Sequence, residues 1–238
     1  MSIRSIRFAV FALAVVAAAP AVPANPATYD FHIRGLRVGA LTLGAEQNGS
    51  SYTATGRIDP TGFVALFADY FFAGTATGQV DANGHVVPRR YAAVSKSPRR
   101  LRNTEIEWQG GRPVHVSVEP PRSSSPDPAA QGGTLDPVSA GFRLLRDAPA
   151  DEICATTVDI FDGSRRSRLR VAAPAANGGG ELVCAGVFSR VEGEAHSAGQ
   201  LDEFPFSVVF RQNGAGLAQL ERIEAPTKYG RAVISRRR

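Results

Sequence analysis

Residues 204–224 read FPFSVVFRQNGAGLAQLERIE, and this stretch decides the fold class. Every second position of its first seven residues is apolar: Phe204, Phe206, Val208 and Phe210. A period of two is typical of a β-strand with one buried face. Asn213-Gly214 then predicts a turn, and residues 217–224 predict the returning strand of a hairpin.

The same period recurs on both sides of this hairpin. Short alternating segments, separated by glycine-containing turns, occur at 29–33, 36–40, 52–58, 104–108, 114–118, 153–160, 169–171 and 229–235. Ten or more short strands predict an all-β protein. We expect a strongly curved antiparallel sheet or an open barrel-like domain.

Two short helices are expected to interrupt the strands. Residues 61–72 carry apolar side chains at helical spacing after Pro60, and Asp136-Pro137 provides a helix start for residues 136–146. The Pro/Ser/Gly-rich segment 120–134 predicts a surface loop. The strands on either side of it are too few for two cores, so residues 25–238 are expected to form a single β-rich domain.

The first 24 residues have the pattern of a cleaved signal peptide. Arg4 and Arg7 precede an uncharged run of about twelve residues, and small residues follow. The run is too short for the roughly 20 residues of a transmembrane helix. Cleavage is expected after Ala21 or Ala24, with export to the periplasm. An uncleaved amphipathic or buried helix is the alternative.

The charge balance argues against nucleic-acid binding. The chain has 27 basic and 22 acidic residues, but five of the basic residues are Arg4, Arg7 and the three arginines at positions 236–238. The remaining body is neutral. It therefore lacks the basic surface that binding to nucleic acid requires.

The chain has two cysteines, Cys154 and Cys184. An even pair in an oxidising compartment predicts a disulfide bond. Two buried free thiols and a redox pair are the alternatives, although the Cys-x-x-Cys spacing of redox pairs is missing.

No motif for catalysis or metal binding is found. The four histidines are far apart and none has a metal-binding spacing, and the Gly-x-Ser-x-Gly motif is missing. No catalytic residue, metal or cofactor is predicted. Catalytic triads assemble from distant positions, so an enzyme is disfavoured and still open.

The segment ICATTVDIFDGSRRSRLRV, residues 153–171, is rich in arginine. Its candidate contacts for an anion or a ligand head group are Arg165, Arg166, Arg168 and Arg170. Arginine suits phosphate and carboxylate groups. The alternative is a solvent-facing strand whose arginines pair with Asp159, Asp162 and neighbouring acids.

Several of these segments together resemble a family of exported Gram-negative bacterial proteins, domain of unknown function 3108. The resemblance rests on the leader, Tyr29 before a Gly-rich hairpin, Asp136-Pro-Val-Ser139, Cys154 with the segment 158–166, Cys184, and Thr227-Lys-Tyr-Gly230. It implies a periplasmic, β-rich domain. It implies no reaction and no catalytic residues.

Two functions fit these observations. The first is binding of an apolar or lipid-like ligand in the curved sheet. The candidate pocket residues are Phe204, Phe206, Val208, Phe210, Phe63 and Phe67. The alternative is a structural protein of the cell envelope that contacts peptidoglycan, outer-membrane proteins or lipopolysaccharide, with exposed sheet edges available for partner strands. The sequence predicts no oligomeric state.

Overall fold

Fourteen strands form one sheet. The computed structural model describes residues 26–61, 70–98, 100–122, 124–177, 180–193 and 203–237. The strands are β1 (Ala27–Ile33), β2 (Leu36–Asn48), β3 (Ser51–Pro60), β4 (Phe71–Val80), β5 (Val86–Ser97), β6 (Arg100–Gln109), β7 (Arg112–Glu119), β8 (Thr156–Phe161), β9 (Arg165–Val171), β10 (Ala175–Asn177), β11 (Glu181–Gly193), β12 (Glu203–Gln212), β13 (Ala218–Thr227) and β14 (Gly230–Arg236).

The sheet is an antiparallel meander whose first and last strands pair. Its order is β7-β6-β5-β4-β3-β2-β1-β14-β13-β12-β11-β9-β8, and β10 pairs with β11 off this path. The pairing of β1 with β14 sets Tyr29 opposite Arg236. Strands β7 and β8 remain as the two edges, so the sheet curls without closing. The expected all-β, open barrel-like class is confirmed.

A segment outside the strands crosses between these two edges. The Gly133 amide donates to the Gly111 carbonyl beside β7, over 2.9 Å. The Leu135 amide donates to the Asp159 carbonyl of β8, and the Phe161 amide donates back to Leu135, each over 2.8 Å. The chain between β7 and the next helix therefore fills the gap with backbone hydrogen bonds.

This arrangement corrects the prediction for 120–134. The segment contains a short 3-10 helix, Pro128–Ala130, and its Gln131 and Thr134 are fully buried. The described part of this segment is therefore a mixture of exposed and buried residues. The polar composition of this segment predicted that all of it would be exposed. Thr134 can be buried because its hydroxyl donates a hydrogen bond to the Gln131 carbonyl.

The two described helices follow this segment. Helix α1 is Pro137–Leu145 and helix α2 is Ala150–Ile153. The carboxylate of Asp136 caps α1 by accepting from the backbone N–H groups of Val138 and Ser139, over 2.9 and 2.8 Å. The prediction of a helix over 136–146 is confirmed. The strand predicted at 153–160 begins only at Thr156, because Ile153 belongs to α2.

The helix predicted at 61–72 lies mostly outside the described residues. The predicted end of this helix at residue 72 is wrong, because Phe71 and Phe72 are the first residues of β4. Phe63 and Phe67 belong to the part that is not described.

Helix α1 lies within the curve of the sheet and packs closely against β3, β4 and β5. The sheet residues that face it there are small: Ala54, Gly56, Gly74, Ala76 and Ala93. A Cβ atom added at Gly74 would lie 3.0 Å from Cγ2 of Val138, so a larger residue would push the helix away. The small side chains therefore set the distance between α1 and this part of the sheet.

Candidate ligand cavity

An apolar cavity of about 230 Å³ lies between α1 and the second half of the sheet. Four strands, β9, β11, β12 and β13, form its wall opposite the helix. It is lined by Gly141, Leu144, Leu145, Ile153, Leu169, Val171, Phe188, Phe206, Val208, Phe210 and Ile223. Every lining residue is apolar. An apolar cavity of about 150 Å³ already binds a benzene-sized molecule, so this cavity has room for part of a hydrocarbon chain.

Strand β12 places three of its four predicted pocket residues on the cavity. Phe206, Val208 and Phe210 line it, as their spacing of two residues requires. Phe204 points to the same face and lies beside Phe188, with ring centroids 6.5 Å apart, but it does not line the cavity. The four candidate residues therefore share one face of β12, and Phe204 lies outside the cavity lining; their role in binding a ligand stays a prediction.

The ring of Phe206 depends on a glycine in the neighbouring strand. Gly186 of β11 is its cross-strand partner. A Cβ atom at Gly186 would lie only 2.2 Å from the Phe206 ring, so the ring lies directly over the glycine backbone. Any larger residue at position 186 would displace this ring from the cavity wall.

The disulfide lies next to the cavity. Cys154 and Cys184 are bonded and both are buried, as the sequence predicted. Cys154 follows Ile153 of the cavity lining, and Cys184 pairs in register with Val208. The bond therefore ties the end of α2 to the strands that form the cavity wall.

The predicted arginine contacts lie on the other face of β9. Leu169 and Val171 face the cavity, so Arg166, Arg168 and Arg170 project from the opposite side of the strand. The Asp159 carboxylate accepts from Arg166 over 2.7 Å and from Arg168 over 2.6 and 2.9 Å. These bonds hold the pKa of Asp159 below its usual value.

The remaining two arginines of this group are not at the cavity either. Arg170 is 3.5 Å from the Glu203 carboxylate. The backbone N–H of Arg165 donates to the Asp162 side chain in the turn before β9. The structure does not bring the arginines and the apolar pocket residues together. A head-group role for these arginines stays a prediction.

A second, more polar cavity of about 450 Å³ lies on another side of α1. Tyr29 of β1 and Arg236 of β14 lie at its wall, together with Gln47 of β2 and Asp147 after the helix. Burial raises the pKa of the Tyr29 hydroxyl, and the charge of Arg236 acts in the opposite direction. Tyr29 is therefore neutral and able to donate a hydrogen bond near physiological pH.

A buried chain of hydrogen bonds fixes the start of α1. The Ser139 hydroxyl donates to the Asp136 carboxylate, and the Tyr52 hydroxyl donates to Ser139 over 2.6 Å. All three side chains are buried. Burial raises the pKa of Asp136 to about 6, against the opposing effect of hydrogen bonds from the Ser139 hydroxyl and from the backbone of Ser139 and Val138. Because no solvent reaches the serine, this chain serves the structure and offers no nucleophile to a substrate.

The described residues contain no group of three His, Cys, Asp or Glu side chains that could hold a metal ion. None of the helices in that part of the chain is long and apolar enough to cross a membrane.

The sequence analysis missed the helix side of the cavity. Gly141, Leu144 and Leu145 of α1 line it, whereas the sequence assigned the helical wall to 61–72. Leu144 and Leu145 carried a signal, because they continue the apolar positions of a helix that Asp136-Pro137 starts. No pattern in the sequence predicted the open space beside Gly141, because that space depends on how the helix packs against the sheet.

The fold and the cavity define a barrel-like all-β protein with a helix inside its curled sheet. A crystal structure of a beta-barrel-like protein of Domain of Unknown Function DUF1849 from Brucella abortus is similar to this chain, with a TM-score of 0.49 and 12% sequence identity. The similarity covers 91% of this chain and 98% of that one. No family model and no curated protein matches the sequence.

Proposed function

We propose that this protein binds the hydrocarbon chain of a ligand in the cavity between α1 and strands β9 to β13, without a catalytic step. The wholly apolar lining of the cavity carries this proposal. Polar groups are usually present where a substrate is oriented for reaction, whereas a pocket with none selects for apolar surface alone.

The size of the cavity sets the expected affinity. A methylene group is close to a water molecule in size, roughly 30 Å³, so the cavity holds about seven. Each buried methylene contributes about 0.8 kcal/mol. Seven of them contribute between about 5 and 6 kcal/mol, and the loss of translational and rotational freedom on binding opposes this contribution. We therefore expect a dissociation constant of about 100 µM or weaker.

The cellular setting belongs to the same proposal. The disulfide between Cys154 and Cys184 is consistent with an extracytoplasmic protein. The leader at 1–24 lies outside the described residues, so a periplasmic location and membership of domain of unknown function 3108 stay predictions. Together they support a ligand drawn from the cell envelope.

Calorimetric titration with 1-decanol tests the proposal, because this probe has a hydrocarbon chain and no charge. Two matched variants are Phe206→Gln and Phe204→Gln, which make the same change on the same face of β12. We expect Phe206→Gln to abolish binding, because an unpaired amide in an apolar cavity is costly. Phe204 does not line the cavity, so Phe204→Gln should bind as the unchanged protein does.

Melting curves of both variants show whether each is folded at the temperature of the titration. Two results would contradict the proposal: the unchanged protein does not bind 1-decanol, or the folded Phe206→Gln variant binds it with unchanged affinity. In either case the alternative of a structural protein of the cell envelope takes its place.

A further inference from the structure

We infer that the ligand is an amphiphile with an anionic group, whose chain lies in the apolar cavity and whose anionic group lies beside Arg236 in the polar cavity. This inference rests on the proposed function. It adds the chemical class of the ligand and the residue that recognises its charge.

Arg236 is an inward-facing cation, and it has no ion pair with another described residue. It follows Ala232 and Ile234 on the face of β14 that points into the curled sheet, and it lines the polar cavity. Its neighbour Arg237 projects to the other side and pairs with Asp30 at 2.5 Å. Among the described residues, no carboxylate lies within 4.0 Å of the Arg236 guanidinium. A cation in this position favours an anionic ligand.

Tyr29 supplies a hydrogen-bond donor next to this cation. It lies directly opposite Arg236 in the register of β1 and β14, and its side chain is buried. A neutral phenol hydroxyl beside a guanidinium makes a donor pair suited to a phosphate or carboxylate oxygen.

The other charged side chains of this cavity wall are Asp147, which keeps its negative charge among neutral amide donors, and Arg146, which has an ion pair. Asp147 accepts from the side-chain amides of Asn213 and Gln219, over 3.0 and 2.9 Å. Arg146 pairs with Glu152 at 2.9 Å. Of the two arginines at this cavity wall, Arg236 is therefore the one that an anionic ligand can neutralise without displacing a partner in the described part of the chain.

Helix α1 borders both cavities through the same two residues. Gly141 and Leu145 line the apolar cavity and the polar cavity alike. A Cβ atom at Gly141 would meet no atom within 4 Å, so open space lies beside the helix at this point. A single flexible chain can pass there, with its end in the apolar cavity and its charged group at Arg236.

Decyl phosphate and 1-decanol have the same chain and different head groups, so titrating both separates the two parts of the argument. We expect decyl phosphate to bind about tenfold more tightly than 1-decanol, because a charge-assisted hydrogen bond is added. Arg236→Gln should remove this preference, so that decyl phosphate and 1-decanol bind the variant with similar affinity. Arg237→Gln is the matched control and should keep the preference.

Each outcome has one meaning. Equal binding of both probes by the unchanged protein overturns the inference and leaves the proposed function standing. A preference for decyl phosphate that survives in Arg236→Gln also overturns it, because the charge is then recognised elsewhere. Binding of neither probe overturns the inference together with the proposed function. Should Arg236→Gln fail to fold, Arg236→Lys replaces it and should keep part of the preference, since the charge remains and the planar fork is lost.

Discussion

Replacing Asp136 with asparagine is expected to remove a pH dependence of folding stability that the native protein has between about pH 4 and about pH 7. Asp136 is fully buried at the start of α1, and burial raises its pKa from 3.8 to about 6. In the unfolded chain the carboxyl group ionises near its ordinary value. The folded state therefore binds the proton more tightly than the unfolded state does.

The sign and size of the effect follow from this difference. A group with a raised pKa contributes its full stability below the unfolded pKa and loses that contribution as pH rises through the folded pKa. A shift of about two pKa units corresponds to about 3 kcal/mol. The free energy of unfolding should therefore fall by about 3 kcal/mol as the pH rises through this window.

Other carboxyl groups act at lower pH. Hydrogen bonds from arginine side chains lower the pKa values of Asp30, Asp159 and Glu181. Their contributions to folding stability are therefore lost only as the pH falls below the ordinary pKa values of these carboxyl groups. At each pH, the difference in the free energy of unfolding between the native protein and a single variant cancels the contributions of these other carboxyl groups.

Urea unfolding provides the measurement. Trp108 is the single tryptophan and is buried in the same core cluster as Tyr52, so its fluorescence reports loss of this core. Asp136→Asn keeps a helix-capping side chain and should give a nearly flat profile. Ser139→Ala removes one hydrogen bond to the carboxylate and should extend the loss of stability to higher pH. If Asp136→Asn retains the native slope, the pH dependence has another source and the reasoning is wrong.

Three further changes have expected results. Cys154→Ser should lower the free energy of unfolding by about 3–4 kcal/mol, and thiol counting on the denatured native protein should find no free thiol; two would contradict the disulfide. Gly141→Ala should raise the melting temperature, with a gain of up to about 1 kcal/mol, because the added Cβ meets open space; a lower melting temperature would show that the space is filled. Asp159→Asn should lower the free energy of unfolding by about 1 kcal/mol at low ionic strength and by less in high salt, because the arginine partners of Asp159 are partly exposed. Equal losses at both salt concentrations in urea unfolding would argue against an ionic contribution.

Several strands were predicted because apolar residues recur at every second position along them. Strand β12 was predicted because Phe206, Val208 and Phe210 place large apolar side chains at every second position. Strand β4 was missed because its inward residues include Gly74 and Ala76, whose small side chains give no hydrophobic alternation. The short helix α2 was missed because four residues are too few to show a helical period.

Some residues of the candidate site could be predicted from the sequence, and others could not. The cysteine pair and the apolar row of β12 were found from residue type and spacing. The sequence analysis counted Arg236 with the two arginines that follow it, apart from the neutral body of the chain. The inward orientation of Arg236 follows from the register of β14 with β1, which no local pattern in the sequence reveals.

The cavity is a consequence of where α1 sits in the curled sheet. The helix packs against β3, β4 and β5 through glycine and alanine, and this close approach brings its axis towards that side. The opposite wall, β9 to β13, carries large side chains such as Phe206 and Phe188, yet these do not fill the distance that remains. On the helix side Gly141 faces this space without a side chain. Protein interiors are otherwise closely packed, so small residues on the near wall together with a glycine facing the far wall are what keep the space open. The same helix borders the polar cavity, so one off-centre helix accounts for both halves of the proposed amphiphile site.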